Sequence, residues 1–240
     1  MAALLYSVRT RLAYPLILVL ALMAFLPGFR TIPAVDRDEA RFAESTRQML
    51  ESGDFIRIRL QDELRLKKPV GIYWLQAAAT ALAGGEDPAN PIWTYRIPSL
   101  LGALGAVLMT LWMGRRWFGA EAGFAAAVLI AGSLLLGVEA RLAKTDAALL
   151  ATILLAQAQL GEAWLRPEAP LARWRWLAFW AASGLGILIK GPILPLVAGL
   201  TAAALAIAVR RAAWLGRLRP WPAHAPHAPP LNFMRRTVAR

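Results

Sequence analysis

Residues 70–84, VGIYWLQAAATALAG, decide the fold. The stretch is apolar enough to enter a bilayer but shorter than the about 20 residues that a helix needs to cross one comfortably. Tyr73, Trp74 and Gln76 near its start suit a helix lying in the membrane interface. If it lies flat, four Arg-bearing segments share one side: Arg9 and Arg11, GRRW at 114–117, RPEAPLARWR at 166–175 and RRAAWLGRLR at 210–219. If it crosses, that agreement breaks after the first loop. Cytoplasmic loops concentrate Lys and Arg, so the flat reading is preferred and the N-terminus is placed in the cytoplasm. Residues 30–96, residues 139–146 and the Lys190-Gly191 turn then lie together on the outer face.

The rest of the chain agrees with a bilayer as solvent. Of 240 residues 58% are hydrophobic, the mean hydropathy is +0.47 and there are ten Trp, an apolar share above that of soluble domains. Runs long enough to span lie near 12–29, 97–113, 120–138, 147–165, 174–189 and 191–209. The first has a signal-peptide shape but lacks a clear cleavage site and is followed by five more, which favours an uncleaved span. The expected class is an all-α polytopic membrane protein. A net charge of +12 raises nucleic acid as a partner, but the arginines sit between apolar runs and no nucleic-acid motif accompanies them, so no nucleic-acid partner is expected. Cysteine is absent and the two histidines, His224 and His227, lie in a Pro-rich tail, which leaves metal chemistry poorly supplied.

The outer segment opens with AVDRDEARFAESTRQMLESGD, residues 34–54, where Asp36 and Glu39 have the D-x-x-E form of a helix start. Phe42, Ala43, Thr46, Met49 and Leu50 recur on one face, Arg41, Glu44, Arg47 and Glu51 on the other, and Gly53 stops the helix. This predicts an amphipathic helix on the membrane whose first turn holds Asp38 and Glu39 just above the first span. Asp36 reads as a cap. Asp38 and Glu39 either favour the helix dipole or act on a substrate. Next comes RIRLQDELRLKKPVGIYWLQ, whose Lys67 and Lys68 suit an anionic headgroup or general attraction to the lipid surface. On the same face EARLAKTDAALL, 139–150, brings Arg141, Lys144 and Asp146, and LIKGPILP, 188–195, puts Lys190 at a Gly-Pro break between apolar helices. A cation at that depth faces a cavity or partner, or snorkels.

DRDEARFAESTRQMLESGDF, KKPVGIYWLQ, RIPSLLGAL, RRWFG, RLAKTDAALL and KGP, in that order, resemble the N-terminal half of bacterial glycosyltransferase family 39/83 proteins. These are membrane enzymes related to protein O-mannosyltransferases and to the lipid A aminoarabinose transferase. The likeness runs from about residue 10 to residue 215 and implies a GT-C-type membrane domain that moves a sugar, with inversion, from a polyprenyl phosphate to an acceptor at the outer face. It implies Asp38 as the catalytic acid residue with Glu39 beside it, and Lys68 at the lipid phosphate. Arg141 and Lys190 are weaker phosphate candidates. Arg41 and Asp146 are substrate contacts or ion-pair partners, Asp146 first as partner of a loop Arg. Val70 departs from the usual second Pro, and Lys67 stands where lipid A-modifying relatives carry a Glu linked to metal binding. No resident cofactor is expected, with a divalent metal as the alternative that these residues leave unsupported.

Relatives of this type continue into further spans and an outer domain. Here AHAPHAPPLNFMRRTVAR follows the last basic segment without apolar periodicity. Residues 216–240 are expected to be disordered, as a frame-shifted or truncated end or as a cytoplasmic tail. A carrier-binding protein without chemistry, or an inactive remnant, would share the outer-face cations.

Overall fold

The structure is a computed structural model that describes residues 12–83, 91–165 and 172–218. Arg9, Arg11, part of the 166–175 loop and residues 219–240 lie outside the described residues; of the tail expected to be disordered from 216, residues 216–218 continue the last helix. The order is α1 (Ala13–Phe25), α2 (Arg37–Ser52), a short hairpin β1 (Arg59–Leu60) and β2 (Glu63–Leu64), α3 (Gly71–Ala83), α4 (Ile92–Phe118), α5 (Ala120–Ala131), α6 (Leu134–Glu139), α7 (Asp146–Leu165), α8 (Arg173–Lys190) and α9 (Ile193–Leu218).

Two helices, α4 and α7, are long and apolar enough to cross a membrane, and α1, α5 and the 193–209 part of α9 are apolar but shorter. The expected runs at 12–29 and 120–138 are thus not continuous helices. In the first, the chain turns after Phe25 through Pro27 and Gly28, whose φ of 80° a helix cannot hold. In the second, the helix ends at Ala131, and Ser133, extended at φ −65° and ψ 123°, restarts it as the six-residue α6. Helix α8 includes Arg173, Arg175 and Lys190 and is less apolar than its length suggests. The KGP break behaves as expected: Gly191 at φ 77° closes α8 and Pro192 precedes α9.

Small residues set the packing. A Cβ on Gly102 of α4 would lie 2.6 Å from the backbone of Ala147 and Ala148 in α7, and one on Gly114 2.5 Å from Gly123 of α5, so these helices touch through their backbones. Ile17, Ala21 and Phe25 of α1 pack with Val107, Leu111, Ala127 and Ala147 in one core, and Ala156, Ala182, Leu194 and Ala198 join α7, α8 and α9 in another. Large apolar side chains such as Met23, Leu129, Trp180 and Leu200 point outward, as they do where a helix faces hydrocarbon rather than water.

Above these helices α2 and α3 share a third core. Asp36 caps α2, its Oδ1 accepting from the N–H of Asp38 at 2.7 Å and of Glu39 at 3.3 Å, and Gly53 ends it at φ 67°. Phe42 and Met49 from α2 meet Ile72 and Tyr73 from α3, Ala148 and Leu149 from α7 and Ile189 from α8. Thr46 donates to Gln76 Oε1 at 2.7 Å. Tyr73 and Gln76 are therefore buried against α2. Trp74 stays partly exposed, its indole N–H donating to the Phe55 carbonyl.

Candidate active site

The first turn of α2, the 140–145 loop before α7, the end of α8 and the segment leading into α3 surround this core, and each brings charge. Two acids are consumed by it. Glu39 is wholly buried: its Oε1 accepts from Arg96 Nε at 2.7 Å and from the N–H of Ala143 at 3.0 Å, and its Oε2 accepts from Arg96 Nη2 at 3.3 Å. Arg96 also donates to the carbonyls of Phe29, Ile32 and Pro33. One ion pair thus ties the start of the first loop, α2, α4 and the 140–145 loop together. Asp36 spends its second oxygen on Lys144, whose Nζ lies 2.7 Å from Oδ2. That ammonium, with the two capping N–H groups, outweighs burial and holds the Asp36 carboxyl below the usual carboxylate range.

Asp38, one residue before Glu39, points the other way. Its side chain is 56% exposed and meets Arg41 loosely at 3.4 Å. Lys68 is half-buried and, among the described residues, has no hydrogen-bond or ion-pair partner. These are the sequence-predicted residues whose charge remains available.

Three others are occupied. Arg141, half-buried, donates to the carbonyls of Pro27, Gly137 and Ala24, which holds the start of the loop against the end of α1. Asp146 and Lys190 bind each other, so Asp146 partners a lysine on α8 and not a loop arginine.

Glu139, unremarked in the sequence, ends α6 beside this group. Its Oε2 is buried without a hydrogen-bond partner, and burial, reinforced by the Asp146 carboxylate, raises its pKa. Arg96 was also missed. The available signal was a charge inside an otherwise apolar helical run, which requires a partner wherever it is buried. Among the described residues no group of three or more His, Asp or Glu side chains converges to hold a metal.

Residues 14–223 match the family described as dolichyl-phosphate-mannose-protein mannosyltransferase. The chain belongs to this family. It is an all-α membrane protein of the GT-C type, in a family of glycosyltransferases. It is 30% identical over 190 residues, 77% of its length, to undecaprenyl phosphate-alpha-4-amino-4-deoxy-L-arabinose arabinosyl transferase 2 of Pseudomonas fluorescens. It is 29% identical over 64% of its length to the corresponding transferase of Pectobacterium atrosepticum. Its fold is similar to ArnT from Cupriavidus metallidurans, with a TM-score of 0.71 and 26% identity, in the apo state and bound to undecaprenyl phosphate; the matches cover 88% and 85% of this chain and 37% of each. The matched part covers 31% and 27% of the two curated relatives, so the chain spans about a third of their length.

Proposed function

We propose that the chain carries donor-side machinery for an inverting transfer of a sugar from a polyprenyl phosphate to a lipid, glycan or protein acceptor at the outer face of the cell inner membrane. In this reading residues 1–215 are part of a GT-C membrane domain and 30–96 form its first outer loop. Helices α2 and α3 are amphipathic and lie in the outer interface. The 13 residues of α3 span about 20 Å at 1.5 Å per residue, against a hydrocarbon core of about 30 Å.

The observation that carries the proposal is that Asp38 is exposed and paired only loosely with Arg41, and Lys68 has no partner among the described residues, while Asp36, Glu39 and Asp146 are held closely by cations. The acceptor oxygen attacks the anomeric carbon from the side opposite the phosphate, and Asp38 takes its proton. The bond from that carbon to the phosphate oxygen breaks with its electron pair. Lys68 stabilises the charge gathering on the departing polyprenyl phosphate. Glu39 acts through Arg96 as a positioning residue, and Lys190 reaches a phosphate only by exchanging Asp146 for it. The names of the arabinosyl transferases and the neighbour bound to undecaprenyl phosphate support this class of carrier.

The test is transfer and carrier binding in proteoliposomes holding a polyprenyl-phosphate-linked sugar. Asp38→Asn should cut transfer by about 10²-fold, the scale of lost general-base help, with carrier binding kept. Lys68→Ala should weaken binding and slow transfer together. Near-normal turnover of Asp38→Asn would remove the catalytic assignment. A wild-type protein that binds the carrier and transfers nothing would instead be a carrier-binding protein.

A further inference from the structure

We infer that Arg65 is a second contact for the donor phosphate and forms with Lys68 a two-pronged anion clamp, an inference that rests on the donor reading above. Arg65 follows β2 directly, and its N–H donates to the Ile58 carbonyl at 2.8 Å, which extends the hairpin pairing and fixes its backbone. Its side chain is held from two directions. Nε donates to the Tyr73 hydroxyl at 3.0 Å, and the guanidinium carbon lies 5.4 Å from the centre of the Phe42 ring. Those rings are themselves 5.4 Å apart and buried in the core beneath the site. The guanidinium plane is therefore set by rigid neighbours and not by solvent.

The opposite edge of the group is unused. Among the described residues nothing accepts from Nη1 or Nη2, although Arg65 is half-buried and its flanking hairpin carries Asp62 and Glu63. A guanidinium engaged through Nε, with both terminal nitrogens free, presents the fork that binds phosphate through parallel hydrogen bonds. Lys68 comes three residues later across a turn at 66–67, and the ends of such a turn lie within about 7 Å. The Tyr73 hydroxyl that receives Arg65 is buried, and burial raises its pKa while Arg65 opposes that, so it stays a neutral, fixed acceptor. An anion bridging Arg65 and Lys68 is the departing phosphate of the proposed transfer, held on the side of the sugar away from the incoming acceptor. A merely structural arginine, packing Phe42 and Tyr73, would leave affinity for phosphate untouched.

The experiment compares binding of polyprenyl monophosphate with that of neutral polyprenol of the same chain length to the protein in nanodiscs. The wild type should prefer the phosphate, and Arg65→Gln, which still covers Phe42 and can bond Tyr73, should reduce that preference by about tenfold, the share of a charge-assisted hydrogen bond. Arg65→Lys should recover part of it. In turnover, Arg65→Gln should raise the donor KM more than it lowers kcat. If Lys68→Ala loses the preference while Arg65→Gln keeps it at wild-type melting temperature, the clamp is wrong and the donor reading survives. If the wild type shows no preference for phosphate, the donor reading falls and the clamp with it.

Discussion

Arg96 Nε donates to Glu39 Oε1 at 2.7 Å, and neither side chain has any surface exposed. The pair joins residues 57 positions apart, and its remaining donors bind carbonyls at the start of the first loop. It therefore fixes where the first turn of α2, and Asp38 within it, stands over the helices. Removing one member leaves a buried charge without its partner. Arg96→Ala should lower the unfolding free energy in detergent by about 3–5 kcal/mol, measured by denaturant titration. Replacing both members by apolar residues should cost less than either single change. A single variant as stable as wild type would mean that water reaches the site.

Asp36 should show its two partners in a pH series. Its folded pKa lies below the unfolded value because the Lys144 ammonium, opposed by burial and helped by the two capping N–H groups, favours the carboxylate. A depressed folded pKa gives stability that is complete above the unfolded pKa, about 3.9, and is lost as pH falls through the lower folded value. Asp36→Asn keeps a cap oxygen but not the charge for Lys144. Its melting temperature should fall less steeply than wild type as pH drops from about 4, with little change in transfer at neutral pH.

The backbone contact between α4 and α7 can be tested with a paired control. Gly102→Ala places a methyl 2.6 Å from Ala147 backbone atoms and should destabilise by about 1–3 kcal/mol as the helices separate. Because α7 begins at Asp146, the same separation should weaken carrier binding. Gly105→Ala meets only the Ala151 Cβ at 3.5 Å, an ordinary contact, and should leave the thermal melt unchanged or slightly higher. Equal melts for the two variants would refute the close approach.

Topology is open to chemistry in intact cells, since the chain has no native cysteine. Ser52→Cys, on the exposed end of α2, should react with an impermeant thiol reagent from outside, and Ser7→Cys should not. Labelling of Ser7→Cys alone would invert the assignment and place the Asp38 site in the cytoplasm.

What the sequence determined by itself is what short-range pattern encodes. The apolar runs, the cap at Asp36, the stop at Gly53 and the two-faced helix between them depend on neighbours within a turn or two, so periodicity and residue chemistry suffice. The same reasoning lost accuracy where it treated apolarity as continuity. Runs 12–29 and 120–138 contain Gly28 and the Gly132-Ser133 pair, and the helices end there despite apolar residues on both sides.

Tertiary structure alone decided which charges are spent and which remain. By sequence Asp38 and Glu39 are equivalent acids in one helical turn. In the fold they project from α2 about 100° apart, which is enough for Glu39 to meet Arg96 and the Ala143 N–H while Asp38 faces out. Asp36 finds Lys144 across 108 residues. Asp146 takes Lys190 because the start of α7 meets the end of α8, while Arg141 turns back to the carbonyls of Ala24 and Pro27. A charge shows its sign and spacing in the sequence. Its partner depends on how distant elements pack, because the attraction becomes strong only where the pair is close and water is excluded.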